Sequence, residues 1–173
     1  MSGATIYYTI MPSPVGELTL TSDGSALTAV YFEAPRYGPA STNGWIRDDA
    51  VFADARRQLE EYFGGKRTEF DLTLAPAGTD FQRSVWRALS EIPYAVTTSY
   101  GAIASKIGKP SASRAVGAAN GRNPISIIVP CHRVIGSGGN LTGYGGGLDR
   151  KRWLLNHEAV VLSKVRAASA SGR

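Results

Sequence analysis

The chain has 173 residues, enough for one good-sized domain or for two small ones sharing a core. With 43% hydrophobic and 19% charged residues it has ordinary globular composition, which excludes disorder, and no apolar run approaches the roughly 18 residues needed to span a bilayer. The net charge of +5 is unevenly spread: residues 1–78 hold 6 basic and 10 acidic side chains, residues 79–173 hold 13 and 4, so a polyanion is to be sought on the second half.

Residues 1–10 show neither a basic start nor a long apolar core, so no signal peptide is expected and the cytoplasm is the expected location. Residues 6–10, 18–21 and 27–32 are β-branched and aromatic and predict three strands, with turns at residues 14–16 and at Asp23-Gly24. Residues 33–48 hold Pro, Gly, Ser and Asn without periodicity and read as a loop. A helix is predicted over 50–63, with Val51, Ala55, Leu59 and Tyr62 on one face and Gly64-Gly65 as its stop. Residues 68–74 alternate and predict another strand, and residues 76–78 form a boundary.

The second half changes character. Thr79 or Asp80 caps a helix to about Glu91, with Phe81, Val85, Trp86 and Leu89 on one face. Ser99 caps a short helix over 100–107, Gly108-Lys109-Pro110 makes a tight connection, and a second helix runs over 111–119. Two short helices around a glycine-containing turn predict a helix-turn-helix. An apolar strand over 125–129, a glycine-rich loop and a last helix over 149–158 follow, and the Ala/Ser-rich remainder reads as a mobile tail.

There is one cysteine, which excludes an intrachain disulfide, a cysteine-rich zinc site and a redox cycle with a resolving thiol. Cys131 follows Pro130, which ends strand pairing and can leave the thiol at a rim or cleft. The basic pair His132 and Arg133 beside it favours thiolate. A lone cysteine is commonly just a small core hydrophobe, so the neighbours decide. Successive side chains of an extended segment face opposite ways, so Cys131 and His132 need a bend or a bridging water to communicate. His132 also needs an orienting partner, and Glu158 is the best-placed of the four acidic residues beyond position 78. His157 reads as a solvated helix end.

Seven glycines fall within residues 136–147, a run that fits neither phosphate-loop pattern but lets backbone approach a flat ligand, with Tyr144 placed to pack on it. The second helix of the helix-turn-helix carries small side chains throughout and a single long one, Arg114. Such a helix suits close, shape-based docking in a minor groove better than major-groove base reading. The candidate DNA contacts on and around it are Ser111, Arg114, Ala115, Gly117, Ala118 and Asn120. A cysteine acting on a base in a duplex requires the base to leave the stack, and an arginine can fill the gap.

These residues resemble a known family. Pro130-Cys131-His132-Arg133-Val134, the preceding Asn123-Pro124, Arg114-Ala115-Val116-Gly117 and Tyr144-Gly145-Gly146-Gly147-Leu148 are similar to the O6-alkylguanine-DNA alkyltransferases, also called methylated-DNA–protein-cysteine methyltransferases. The likeness is close over residues 79–158. Before that, the pattern resembles the family's ribonuclease-H-like domain.

The resemblance implies an α/β (α+β) protein: a ribonuclease-H-like antiparallel sheet with a helix over 1–78, a mostly helical, winged-helix-like helix-turn-helix domain over 79–160, and a mobile tail over 161–173. It implies direct-reversal DNA repair, in which the alkyl group of O6-alkylguanine, and less readily of O4-alkylthymine, passes irreversibly to Cys131. His132 would deprotonate the thiol through a water, oriented by Glu158. Asn123 would brace the turn, Tyr100 would assist extrusion and donate to the guanine ring, and Arg114 would enter the stack. The carbonyls of Cys131 and Val134, the Gly145 N–H, Tyr144 and Leu141 would form the base pocket. The partner implied is alkylated double-stranded DNA, bound through the minor groove with base flipping, with no membrane and no obligatory protein partner. Some relatives bind zinc; one cysteine and two histidines depart from that, so neither metal nor cofactor is expected. Two other readings of the residues are a DNA-binding regulator indifferent to Cys131 and a Cys-His-Glu hydrolase with many turnovers.

Overall fold

A computed structural model describes residues 3–171. The three β-branched runs form β1 (Tyr7–Met11), β2 (Leu18–Ser22) and β3 (Leu27–Tyr31), paired antiparallel in sequence. Alternation sends Met11, Leu18, Leu20 and Val30 into the core. A two-residue strand, β4 (Ile46–Arg47), emerges from the segment read as loop and pairs parallel with β1, giving the order β3-β2-β1-β4.

α1 (Ala53–Phe63) starts after a 3-10 turn, Asp49–Phe52, in which Ala50 N donates to the Asp48 side chain and Val51 N to its backbone carbonyl. Ala55, Leu59 and Tyr62 are buried as their spacing predicts. Val51 is not: it lies in the 3-10 turn, whose three-residue period shifts it off the helical face, and Phe52 takes the inward position. Residues 68–74 do not form a strand. Their backbone is captured by a side chain instead: Gln58 donates to Asp71 O at 2.9 Å and accepts from Asp71 N at 2.8 Å. Only the end of the segment meets the sheet, through a bridge between Leu27 and Leu74.

α2 (Asp80–Ser90) opens on a capping box, in which Gln82 N donates to Thr79 Oγ1 at 3.1 Å and Thr79 N donates to Gln82 Oε1 at 3.0 Å. β5 (Thr98–Ser99) leads into α3 (Tyr100–Lys106), capped by Ser99. α3 ends in a Schellman arrangement: Lys109 N donates to Ala104 O, Gly108 N donates to Ser105 O, and Gly108 takes φ +77°, a conformation that favours glycine. α4 (Ser113–Gly121) follows after six connecting residues. It begins two residues later than predicted, because Ala112 N still bonds Lys109 O in the turn. Trp86 donates its indole N–H to Ala119 O at 2.8 Å and ties α2 to α4.

The apolar run 125–129 is a buried turn, not a strand. Ile128 N bonds Ser126 O, Val129 N bonds Ile125 O, and Ile127 sits at φ +74°. A short run that is apolar at all but Ser126 carries no clear period, so its burial was readable and its backbone was not. A short 3-10 turn, Cys131–Arg133, follows and leads into β6 (Val134–Ile135), which pairs parallel with β5. α5 (Leu148–Ser171) does not stop near Glu158. No glycine or proline interrupts it, and Val161 packs against Gly65 after α1. One core joins both halves, with Val30, Tyr62, Ile125, Val129 and Leu154 in it. Among the described residues, no helix is long and apolar enough to cross a membrane.

Candidate active site

Cys131 opens the 3-10 turn and is 4% exposed, not at a rim. Asn123 determines its setting. Its Nδ2 donates to Val129 O at 2.9 Å and to Cys131 Sγ at 3.1 Å, and its Oδ1 accepts from Ile125 N at 3.0 Å. One amide side chain thus does what a neighbouring strand would do for residues 125–129, and places its N–H on the sulfur as well. Burial pushes the thiol pKa up, and the Asn123 hydrogen bond and the Lys151 charge work against that rise.

The neighbouring basic pair does not act as the sequence implied. Burial holds the His132 pKa down, against the pull of Glu158, and so favours the neutral ring. Its Nε2 meets Glu158 Oε2 at 2.7 Å. That nitrogen therefore carries the proton, and the buried Nδ1 keeps a free lone pair, with no hydrogen-bond partner among the described residues. Arg133 turns away to Glu158: Nε reaches Oε1 at 2.9 Å, Nη2 reaches Oε2 at 3.0 Å, and Nη1 donates to Ile92 O at 2.7 Å. The thiol gains no cation from either.

Glu158, fully buried on α5, gathers four side-chain and backbone partners. Beyond His132 and Arg133 it accepts from Tyr62 Oη at 2.6 Å and from Ala95 N at 3.1 Å. Burial alone would raise its pKa; hydrogen bonds from His132 and Arg133 outweigh that and hold the carboxyl well below the usual range. His157 is no solvated helix end, since it stacks on Trp153 and bonds Tyr62 O at 2.8 Å.

Lys151, which the sequence reading missed, is a buried amine whose charge favours the Cys131 thiolate while burial lowers its own pKa. It is fully buried, and its Nζ donates to Val134 O at 2.6 Å and to Thr142 O at 2.9 Å. The run Arg150-Lys151-Arg152 hides it as surface charge. A signal was there: Lys151, Leu154, Glu158 and Val161 fall on one helical stripe, so two charged residues occupy an apolar face.

Tyr144 links the sulfur to open space. Its hydroxyl faces Cys131, outside regular hydrogen-bond geometry, and its ring lines a cavity of about 230 Å3. Tyr100, Gly117, Ala118 and Gly145 form other walls. Tyr100 bonds Thr142 Oγ1 at 2.7 Å, which holds the glycine-rich loop to the start of α3. Phe32 backs Tyr144 at 5.8 Å between ring centroids and lies so near Gly146 that any β-carbon there would come within 2.6 Å of it. A larger cavity of about 380 Å3 lies beyond Arg133; Cys131 is a wall of neither, and Tyr144 stands between the sulfur and the smaller one.

The other predicted residues divide by exposure. Ser111, Arg114, Ala115 and Ala118 are exposed, and Gly117 is half-buried against the Tyr100 ring. Asn120 is 3% exposed and leaves that face, because it lies on the stripe of α4 that packs with Val116. Val134 is buried with its carbonyl already bonded to Lys151, the Cys131 carbonyl accepts from Val134 N, and Leu141 is half-buried.

Fold and site define a protein in which a sheet half and a helix-turn-helix half enclose one ionisable thiol next to a base-sized cavity. The family model for the DNA-binding domain of 6-O-methylguanine DNA methyltransferase matches residues 80–160, and that for its ribonuclease-like domain matches residues 6–76. The chain is 56% identical over 153 residues to the methylated-DNA–protein-cysteine methyltransferase of Mycobacterium tuberculosis (strain H37Rv), covering 88% of this chain and 92% of that protein. It is 53% identical to the enzyme of that name from Methanosarcina acetivorans, covering 88% and 98%. The crystal structure of Mycobacterium tuberculosis OGT in complex with DNA superposes with a TM-score of 0.84 at 53% identity, over 90% of this chain and 94% of that one. The chain belongs to the methylated-DNA–protein-cysteine methyltransferase family.

Proposed function

We propose that the protein repairs O6-alkylguanine in duplex DNA by moving the alkyl group onto Cys131 in one irreversible step. The observation that carries this reading is the joint placement of a buried thiol, a neutral histidine with a free nitrogen and a carboxylate behind it, next to a cavity beneath the exposed face of α4. The Cys131 proton passes to His132 Nδ1 through one water, since no direct bond joins the two side chains among the described residues, and Glu158 takes up the resulting imidazolium charge. Sulfur attacks the alkyl carbon in line with the carbon–oxygen bond. A sulfur–carbon bond forms, the carbon–oxygen bond breaks, and the electron pair goes to the guanine ring, whose charge the Tyr100 hydroxyl offsets by donating a hydrogen bond until water protonates the ring and takes the proton left on His132. The product is a thioether, which water does not cleave, so each chain acts once. Mass spectrometry of the intact protein after incubation with an O6-methylguanine duplex tests this. The expected result is a gain of one methyl group per chain on Cys131; unmodified Cys131 or continued turnover refutes it.

DNA binding falls to α4 in this reading. Its exposed face, with Ala115 and Ala118, is smooth enough for a minor groove, and Arg114 projects from it to take the place of the extruded base. Arg114→Ala is expected to slow repair in duplex DNA by about tenfold, the factor that ~1.4 kcal/mol of the unstacking cost represents, and to leave repair in single strands nearly unchanged. Equal losses on both substrates would exclude a stack-filling role.

Lys151 contributes to the pH range of the reaction. Its positive charge favours the Cys131 thiolate, so Lys151→Met is expected to move the transfer-rate profile to higher pH. It also leaves the Val134 and Thr142 carbonyls without their donor, at a cost of about 1–3 kcal/mol in chemical denaturation. An unshifted profile would remove Lys151 from the chemistry.

A further inference from the structure

The first part of the segment over residues 33–48, before β4, reaches the cavity. Arg36 and Tyr37 line that cavity opposite Tyr100, Gly117 and Tyr144, so the sheet half supplies part of its mouth. Ala34 at φ +48° bends the loop, and Gly38 folds back so tightly that a β-carbon there would lie 2.6 Å from Pro35 Cγ. The bend puts the half-exposed Tyr37 ring between the loop and the end of α4. The Arg122 guanidinium lies 4.2 Å from the ring centroid and the Arg36 guanidinium 5.3 Å from it.

Both arginines are exposed, and neither makes an ion pair or a side-chain hydrogen bond among the described residues. The nearest acid in sequence, Glu33, is occupied with Glu17 N at 2.8 Å. Arg122 caps the C-terminus of α4, where a cation is favoured without a carboxylate. Two guanidinium groups that share one ring and have no counter-ion repel each other, and an anion received between them relieves that repulsion. A guanidinium held by its face on an aromatic ring keeps its N–H edge free, and that edge matches a phosphate in shape and charge.

We propose that Arg36 and Arg122, gathered on Tyr37, clamp the DNA backbone phosphate of the extruded nucleotide at the cavity mouth. This rests on the base-extrusion reading above: with the base inside the cavity, its sugar and phosphate must lie across that mouth. The sheet half, although net acidic, then takes part in DNA binding through this one arginine.

The test uses the full chain. In a Cys131→Ala background, binding of an O6-methylguanine duplex is measured against salt for Arg36→Ala, Arg122→Ala, the double variant and Tyr37→Phe. The double variant is expected to lower the slope of log affinity against log salt by about 0.9, the value for one neutralised phosphate, and each single arginine variant by a part of that. Tyr37→Phe, which keeps the ring, leaves the slope in place. With Cys131 present, transfer from O6-methylguanine nucleoside, which has no phosphate, is expected to be unchanged in Arg122→Ala, whose side chain does not line the cavity. Unchanged salt slopes overturn the clamp. An equal slowing with the nucleoside also overturns it and makes Arg122 a wall for the base. Failure of the underlying reading shows separately, as unmodified Cys131 in the unsubstituted chain after exposure to the duplex.

Discussion

Cys131→Ala is expected to abolish alkyl transfer and to leave lesion binding close to that of the unsubstituted chain. The loss is complete because the thiol is the only one in the chain and its product is its own thioether. Binding survives because the residues proposed to meet DNA, Arg114 above all, lie on the exposed face of α4 and take no part in holding the sulfur. The substitution removes one buried sulfur atom and one hydrogen bond from Asn123, a cost of about 1–2 kcal/mol that the shared core tolerates. Intact-protein mass reads the first effect, and titration of a lesion-bearing duplex reads the second. A Cys131→Ala chain that still took methyl from DNA would end the proposal. One that lost lesion binding in step with transfer would mean that the sulfur also recognises the base.

Glu158→Gln is expected to cost about 3–5 kcal/mol in stability and to remove most of the transfer rate. The carboxylate receives Tyr62, His132, the two arms of Arg133 and Ala95 N in a fully buried position. The amide returns neither the charge nor all the acceptor sites, so Arg133 is left as an uncompensated buried cation. His132 in turn loses the group that fixes its proton on Nε2 and keeps Nδ1 free to accept.

The same carboxylate makes stability depend on pH. A carboxyl whose folded pKa lies below its unfolded value contributes stability that is present above about pH 4.3 and lost as pH falls toward the folded value. His132, whose folded pKa is also lowered, acts in the same sense, beginning near its ordinary value of about 6.5. Urea denaturation between pH 7 and pH 3 should therefore show a steep acid loss, and that loss should be shallower in Glu158→Gln. Parallel curves for the two proteins would mean that Glu158 is already neutral in the fold.

The sequence by itself determined whatever depends on near neighbours. Thr79 and Gln82 close their capping box across three residues, Ser99 caps α3, and alternation in β1 to β3 selects the buried face. The motif around Cys131 and the smooth helix with Arg114 were legible because they are contiguous. Tertiary structure decided everything set by remote partners. Gln58 captured the Asp71 backbone and Asn123 the turn after it, so two segments with strand-like composition are not strands. Arg133 looked like an activator of the neighbouring thiol, but a carboxylate 25 residues away holds it, and the charge that favours the thiolate is Lys151 from the next helix. Tyr62 reaches Glu158 across 96 residues, and Tyr37 brings a loop without periodicity to the cavity mouth. The physical reason is common to all of these. A hydrogen-bonding or charged group takes whichever partner the fold brings within about 3 Å, and composition records that the group is present but not where its partner will come from.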